Sequence, residues 1–258
     1  MKTNTKSQII KIIEKSKKVR PVDLVRTLKI SPQAIHRQLK TLVQEGVLAA
    51  QGTPPSTCYV LANIPDFSDA FAWIQAKKLT KTRHEFVCET RDVFTARLSQ
   101  LKALVKQGLT SEELPLVISA VGEIGNNSFD HNLGRWRDIP GCWFETQVTG
   151  TCAWICIADR GQGIFQSLIR VDPSIPNDQF AVETAFEKHI SGRAPEKRGN
   201  GLKFVKKIIT GKINSGLACF SGHGQVSFGE YGDSCGEVLR SDVSVIEGTI
   251  TLISWELT

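Results

Sequence analysis

The sequence predicts an α+β protein in two parts, a small basic helical module followed by a larger part in which helices cover a sheet. Three observations carry this. All the excess positive charge lies in the first quarter: residues 1–62 hold eleven Lys and Arg against three acids, a local +8, whereas the whole chain is only +6. The same quarter shows short apolar stripes at helical spacing, ended by turn residues. The remainder alternates amphipathic helices with strand-like runs such as CWFETQVT and CAWICIA.

With 258 residues, the chain is long enough for two cores. Its composition, 41% hydrophobic and 22% charged, is that of a globular protein. No apolar run reaches the roughly 18 residues that cross a bilayer. The opening MKTNTKSQIIKIIEKSKK is interrupted by Lys11, Glu14 and Lys15, so it lacks a signal-peptide core. These features exclude a membrane-spanning or secreted protein and predict a cytoplasmic one. Seven cysteines without a CxxC pair or zinc spacing read as reduced thiols, mostly core fillers.

In the basic module, Ile9, Ile10, Ile12 and Ile13 form the stripe of a first helix over 6–17. Pro21 opens a short second helix carrying Val22, Leu24, Val25 and Leu28. Ser31-Pro32 supplies a cap and a proline at the first helical position, so a third helix runs over about 32–45 and buries Ile35, Leu39, Leu42 and Val43. Gly46 ends it, and VLAAQ and TCYVLA then form a hairpin around GTPPS. Three helices and a hairpin make a winged helix-turn-helix pattern over residues 1–62. The segment SPQAIHRQLKTLVQEGVLAAQG resembles bacterial winged-helix transcription regulators, and that resemblance implies a third helix in the major groove. On it, Gln33, His36, Arg37 and Lys40 lie off the apolar stripe. Gln33 and Arg37 have the chemistry to read base edges, and Lys40 to bind phosphate. The expected partner is double-stranded DNA, with a polar face docked on protein as the alternative.

Residues 63–80 read as a connecting segment with some helix, its Phe67, Phe71, Trp73 and Ile74 available for packing. Residues 81–109 read as helical through Phe94, Leu98, Leu101, Leu104 and Val105. TSEEL (110–114) opens a further helix running to about 131, with Thr110 or Ser111 as cap and Glu112 and Glu113 in the first turn. Its faces separate Val117, Ile118, Val121 and Ile124 from Glu123, Asn127 and His131, which stand in line at i, i+4 and i+8. Two strands around Thr149-Gly150 lead into Asp159-Arg160-Gly161-Gln162-Gly163, an acid at a strand end followed by glycines that let a ligand approach the backbone. A basic stretch with Arg193, Lys197 and Arg198 then ends in Gly199-Asn200-Gly201-Leu202 at a helix start, whose free N–H groups suit an anion.

Each motif alone is common; their order is specific. A helix with E-x3-N-x3-H, a strand running into DxGxG, and a basic loop with GxGL before a helix resemble the N, G1 and G2 boxes of the GHKL ATPases. The closing EGTITLISWEL resembles the last strand of that superfamily, and the likeness spans roughly 110–258. It implies a GHKL α/β sandwich over 81–258, a mixed sheet covered by helices on one face, with ATP and Mg²⁺ as cofactors. Carried over, Asn127 would coordinate the Mg²⁺ and Glu123 would be the catalytic carboxylate, positioning or deprotonating the attacking water or hydroxyl. Asp159 would accept the adenine amino hydrogen beside Gly161, Gly163 and Thr249. Gly199 and Gly201 would sit in the phosphate-covering segment, with Arg198 and Leu202 also binding the nucleotide, and His131 matches a polar position of variable role.

His84 in TRHEFVCETR looks superficially like a phosphoacceptor, but it precedes Asn127 by only 43 residues and the segment lacks the proline usual there. A histidine kinase is therefore disfavoured. The expectation is an ATP-binding regulator that couples a GHKL site to DNA binding, acting as a homodimer. The alternative is a serine/threonine kinase of anti-sigma-factor type with a protein substrate.

Overall fold

The computed structural model describes residues 5–16, 18–44, 47–62, 65–78, 85–187, 201–239 and 245–257, with only the backbone at 7, 14, 15 and 44. The chain divides into two compact units, Met1–Ile64 and Pro65–Thr258.

The first unit contains α1 (Thr5–Ser16), α2 (Pro21–Leu28), α3 (Pro32–Gln44) and the antiparallel pair β1 (Leu48–Gln51) and β2 (Cys58–Leu61). Ile9 and Ile13 from α1, Leu24 from α2, and Ile35, Leu39 and Leu42 from α3 meet Leu48 in one core. The apolar stripes therefore converge, as their spacing requires. Val22 and Val43, two of the stripe residues, are exposed. Pro21 occupies the first turn of α2, and Lys29 ends the helix with φ of 55°, its N–H returning to the Val25 carbonyl at 3.0 Å. Ser31 Oγ caps α3 by accepting from the Ala34 N–H at 3.3 Å. β2 also bridges to Val19, through reciprocal backbone bonds of 2.8 and 3.0 Å between Val19 and Tyr59.

The second unit is built on six strands in the order β3-β4-β5-β8-β6-β7. They are β3 (Val87–Cys88), β4 (Cys142–Thr149), β5 (Cys152–Asp159), β6 (Ser215–Gly222), β7 (Gly224–Gly229) and β8 (Ile246–Glu256). On one face Ile155, Ile157, Leu217, Cys219, Ile253 and Trp255 join a core with four helices. These are α5 (Arg91–Val105), α6 (Glu113–Asp130), α8 (Asp178–Glu187) and α9 (Gly201–Thr210); the short α7 (Gly163–Leu168) follows β5. On the other face Trp143, Trp154, Cys156, Ala158 and Leu252 pack with α4 (Ser68–Gln75) and α10 (Gly232–Leu239).

The chain is thus α+β, and four expectations need correction. Every strand pairing among the described residues is antiparallel, not mixed, because β8 inserts antiparallel between β5 and β6. Helices cover both faces rather than one: β5 is apolar on both sides, so each side needs a cover. Residues 65–78 belong to the second unit instead of standing as a connector, since α4 buries Phe71, Trp73 and Ile74. Finally, the helix read over 81–109 starts at Arg91, where Thr90 Oγ1 accepts from the Val93 N–H at 3.4 Å, and residues 87–88 form an edge strand. His84 lies outside the described residues.

Candidate functional site

Helix α6 is the rail of the site. Its start is fixed by a reciprocal box in which Thr110 Oγ1 accepts from the Glu113 N–H at 3.2 Å and Glu113 Oε2 accepts from the Thr110 N–H at 2.9 Å. Lys212 pairs with the same Glu113, and these bonds hold the carboxyl below the usual range. With Val117, Val121 and Ile124 buried against the sheet core, the helix presents Glu123, Asn127 and His131 to one cavity of about 620 Å³. That lies within the roughly 300–1,000 Å³ of small-molecule pockets.

Asp159 forms the floor. It is the last residue of β5, in register with Thr249 of β8, and only 5% exposed. Its Oδ1 accepts from Asn132 Nδ2 at 2.8 Å and from the Gly161 N–H at 2.9 Å; its Oδ2 accepts from Ser128 Oγ at 3.3 Å. Burial nevertheless pushes its pKa up to about 6. A carboxylate has about four acceptor sites, so these three partners leave room for one more donor, from the cavity.

The glycines of the Asp159–Gly163 turn have distinct physical reasons. A Cβ on Gly161 would fall 2.0 Å from Asn132 Cγ and displace the amide that holds Asp159. Gly163 has a φ of +78° and begins α7. Its neighbour Ile164 donates its N–H to Ser221 Oγ at 2.9 Å, and Ser221 in turn donates to the Gly248 carbonyl at 2.7 Å. Thr249 Oγ1 lies 3.4 Å from the same hydroxyl. The DxGxG turn and the start of β8 are thereby pinned together under the cavity.

At the opposite wall, Gly201 begins α9, and a Cβ there would come within 2.4 Å of Glu123 Oε2. Glycine thus lets the helix N-terminus approach the carboxylate, while Leu202 lines the cavity beside it. Among the described residues, neither the Glu123 carboxylate nor the Asn127 amide has a hydrogen-bond partner, so both are available to a ligand. His131 Nδ1 sits 3.1 Å from Ser167 Oγ, and burial lowers the imidazole pKa, which keeps it neutral at pH 7.

The structure therefore gathers Glu123, Asn127, His131, Asp159, Gly163, Gly201, Leu202 and Thr249 around one cavity, with Gly161 directly behind Asp159. Arg198 and Gly199, with Arg193, Lys197 and Asn200, lie outside the described residues. Sequence reasoning missed Ser128 and Asn132, which orient Asp159, and Ser167, Ser221 and Arg91. The spacing of Ser128, in the last turn of the rail, and Asn132, just past its end, is a usable signal; the others reach the site only through the tertiary fold. Among the described residues, no group of three or more His, Cys, Asp or Glu could hold a metal by itself.

In the first unit Gln33, His36, Arg37 and Lys40 are all exposed on α3. No acid pairs with Arg37 or Lys40 among the described residues. No protein-family model matches the chain, and no curated protein matches it in sequence.

Proposed function

We propose that the cavity is an adenine-nucleotide site of GHKL type and that residues 1–62 form a winged helix-turn-helix that binds DNA. The protein would then be an ATP-binding regulator of transcription. The observation that carries the reading is the convergence of three separate sequence motifs on one cavity: the Glu123–Asn127–His131 line, the buried Asp159 with an acceptor site to spare, and the Gly201 helix start.

The residues present fit the two cofactors. Mg²⁺ keeps several waters and needs few protein ligands, so the Asn127 amide oxygen together with nucleotide phosphates suffices and no acidic cluster is required. The remaining acceptor capacity of Asp159 suits the adenine amino group. Bound Mg²⁺ supplies charge neutralisation at the phosphates; the chain's part is to orient the base and to hold Glu123 at the other end. Helices α4 and α10 on the second face of the sheet, and its antiparallel pairing, are features of this chain beyond the superfamily pattern.

Titration calorimetry with Mg-ATP tests the site: binding by the full chain, greatly weakened in Asn127→Ala, is expected. A wild-type chain that binds no nucleotide, or a variant with undiminished affinity, contradicts the assignment. For DNA, mobility shifts of duplex fragments should weaken steeply as salt rises. Arg37→Ala should relax sequence discrimination, and Lys40→Ala should weaken all sequences alike. A homodimer would raise the affinity by holding two half-sites together.

The kinase reading has one observation in its favour, the exposed Glu123 carboxylate without a partner among the described residues. Such a group is placed to orient an attacking hydroxyl. Transfer of labelled phosphate from ATP to a partner protein, lost in Glu123→Ala while ATP binding persists, would select that reading.

A further inference from the structure

One cation at the mouth of the cavity belongs to none of the three motifs. Arg91 stands in the first turn of α5, yet its guanidinium lies along α6, on the residues next to the motif line. Nη2 donates to the Asp130 carboxylate, Nη1 donates to Asn126 Oδ1 at 3.4 Å, and the group sits 5.8 Å from the centroid of the Phe129 ring. Asn126, Phe129 and Asp130 follow at i, i+3 and i+4 on the rail, so three consecutive contacts aim one arginine along it.

The charges around the cavity make this position informative. Among the described lining residues the acids are Glu123, Asp130 and Asp159, the imidazole of His131 is neutral, and Arg91 is the sole cation. A ligand carrying several phosphate charges cannot enter such a wall without a counter-charge from the protein or a metal. Arg91 also has the geometry to supply it, because a guanidinium presents a planar fork that matches phosphate oxygens. The arginine side of the pair is open to solvent: its side chain is 48% exposed, against 21% for Asp130, and the Asn126 contact is long. Exposed ion pairs exchange partners at little cost.

We propose that Arg91 is a phosphate-recognition arginine of this site. It exchanges Asp130 for the terminal phosphates of the bound nucleotide, and Asp130 keeps it extended at the mouth until then. This rests on the nucleotide reading above and assigns its phosphate contact to a helix outside the motifs.

The test compares binding of Mg-ATP and of adenosine by the full chain, as wild type and as Arg91→Ala, Arg91→Lys, Asp130→Asn and Asp159→Asn. Arg91→Ala should weaken ATP at least about tenfold, the scale of a lost charged hydrogen bond, and leave adenosine unchanged. Arg91→Lys should recover part of the loss. Asp130→Asn should leave ATP binding equal or tighter, since it removes the competitor for the guanidinium. An Arg91→Ala chain with wild-type affinity for ATP overturns the inference. So does a variant that loses ATP and adenosine equally, or an Asp130→Asn chain as impaired as Arg91→Ala, since the ion pair would then matter only for the fold. Failure of the underlying reading looks different: the wild type binds neither ligand, or Asp159→Asn binds both as the wild type does.

Discussion

The two faces of the six-stranded sheet receive consecutive charged residues from the end of β5 and treat them in opposite ways. Arg160 is fully buried. Its Nε donates to Asp138 Oδ1 at 2.7 Å, and Nη2 donates to Asp138 Oδ2 at 2.7 Å and to the Ala76 carbonyl at 2.6 Å. Nη1 reaches the carbonyls of Trp73 and Ile74 at the end of α4. Arg137 donates to the Ile74 and Ala76 carbonyls as well. Asp159, one residue earlier, is held by three donors of its own and opens onto a cavity. A closed network of this kind serves the fold, whereas a buried charge with acceptor capacity left over faces a ligand.

The contrast is broken most severely at Arg160. Arg160→Ala should cost about 3–5 kcal/mol in urea unfolding, because it removes the buried guanidinium that pairs with Asp138 and serves the carbonyls at the end of α4. A cost below about 1 kcal/mol would mean that solvent replaces the clamp and that the second face is not closed.

Asp159 should respond to pH instead. Its folded pKa of about 6 stands above its ordinary value of 3.8, so the folded state holds the proton more tightly than the unfolded chain. Its contribution to stability is therefore fully present below about pH 4 and lost as the pH rises through about 6. Relative to Asp159→Asn, the wild type should gain up to about 3 kcal/mol between pH 7 and pH 4. A pH-independent difference between the two would remove the desolvated carboxylate from the account.

How much of this was legible in the sequence differs between the two parts of the chain. The caps at Ser31 and Thr110 and the i, i+4, i+8 line on α6 are local, and local periodicity finds them. Asp159 was legible because an acid at a strand end before glycines is a short-range pattern. The pinning of the glycine turn after it was not: Ser221, which holds Ile164 and Gly248 together, is 62 residues from Asp159 in sequence and arrives by the pairing of β6 with β8. Arg91 meets Asp130 across 39 residues. The edge strand at 87–88 has two residues, and only its pairing with Trp143 and Cys142 defines it. The apolar run AWICIA is the local trace of a sheet covered on both sides, but the expectation is one covered face, because the second cover comes from α4 and α10, whose own patterns are weak.

The smallest expected effect sharpens the comparison at the cavity. Ser128→Ala removes the longest of the three bonds to Asp159, at 3.3 Å. It should change stability by no more than about 1 kcal/mol and leave nucleotide affinity within a few-fold of wild type. A larger loss in calorimetry would show that Asp159 depends on every one of its donors and has no acceptor capacity to spare.

The most direct test of the central claim is a competition between ATP and inosine triphosphate for the wild-type chain. The two ligands differ at the 6-position of the base, an amino group in one and a carbonyl oxygen in the other, and at the neighbouring N1, which accepts in adenine and carries a hydrogen in hypoxanthine. If Asp159 takes the adenine amino hydrogen, a carbonyl at that position faces the buried carboxylate with no hydrogen of its own to give. ATP should then bind at least about a hundredfold more tightly. Equal affinities would contradict the account, since the base would not be read by Asp159 at all.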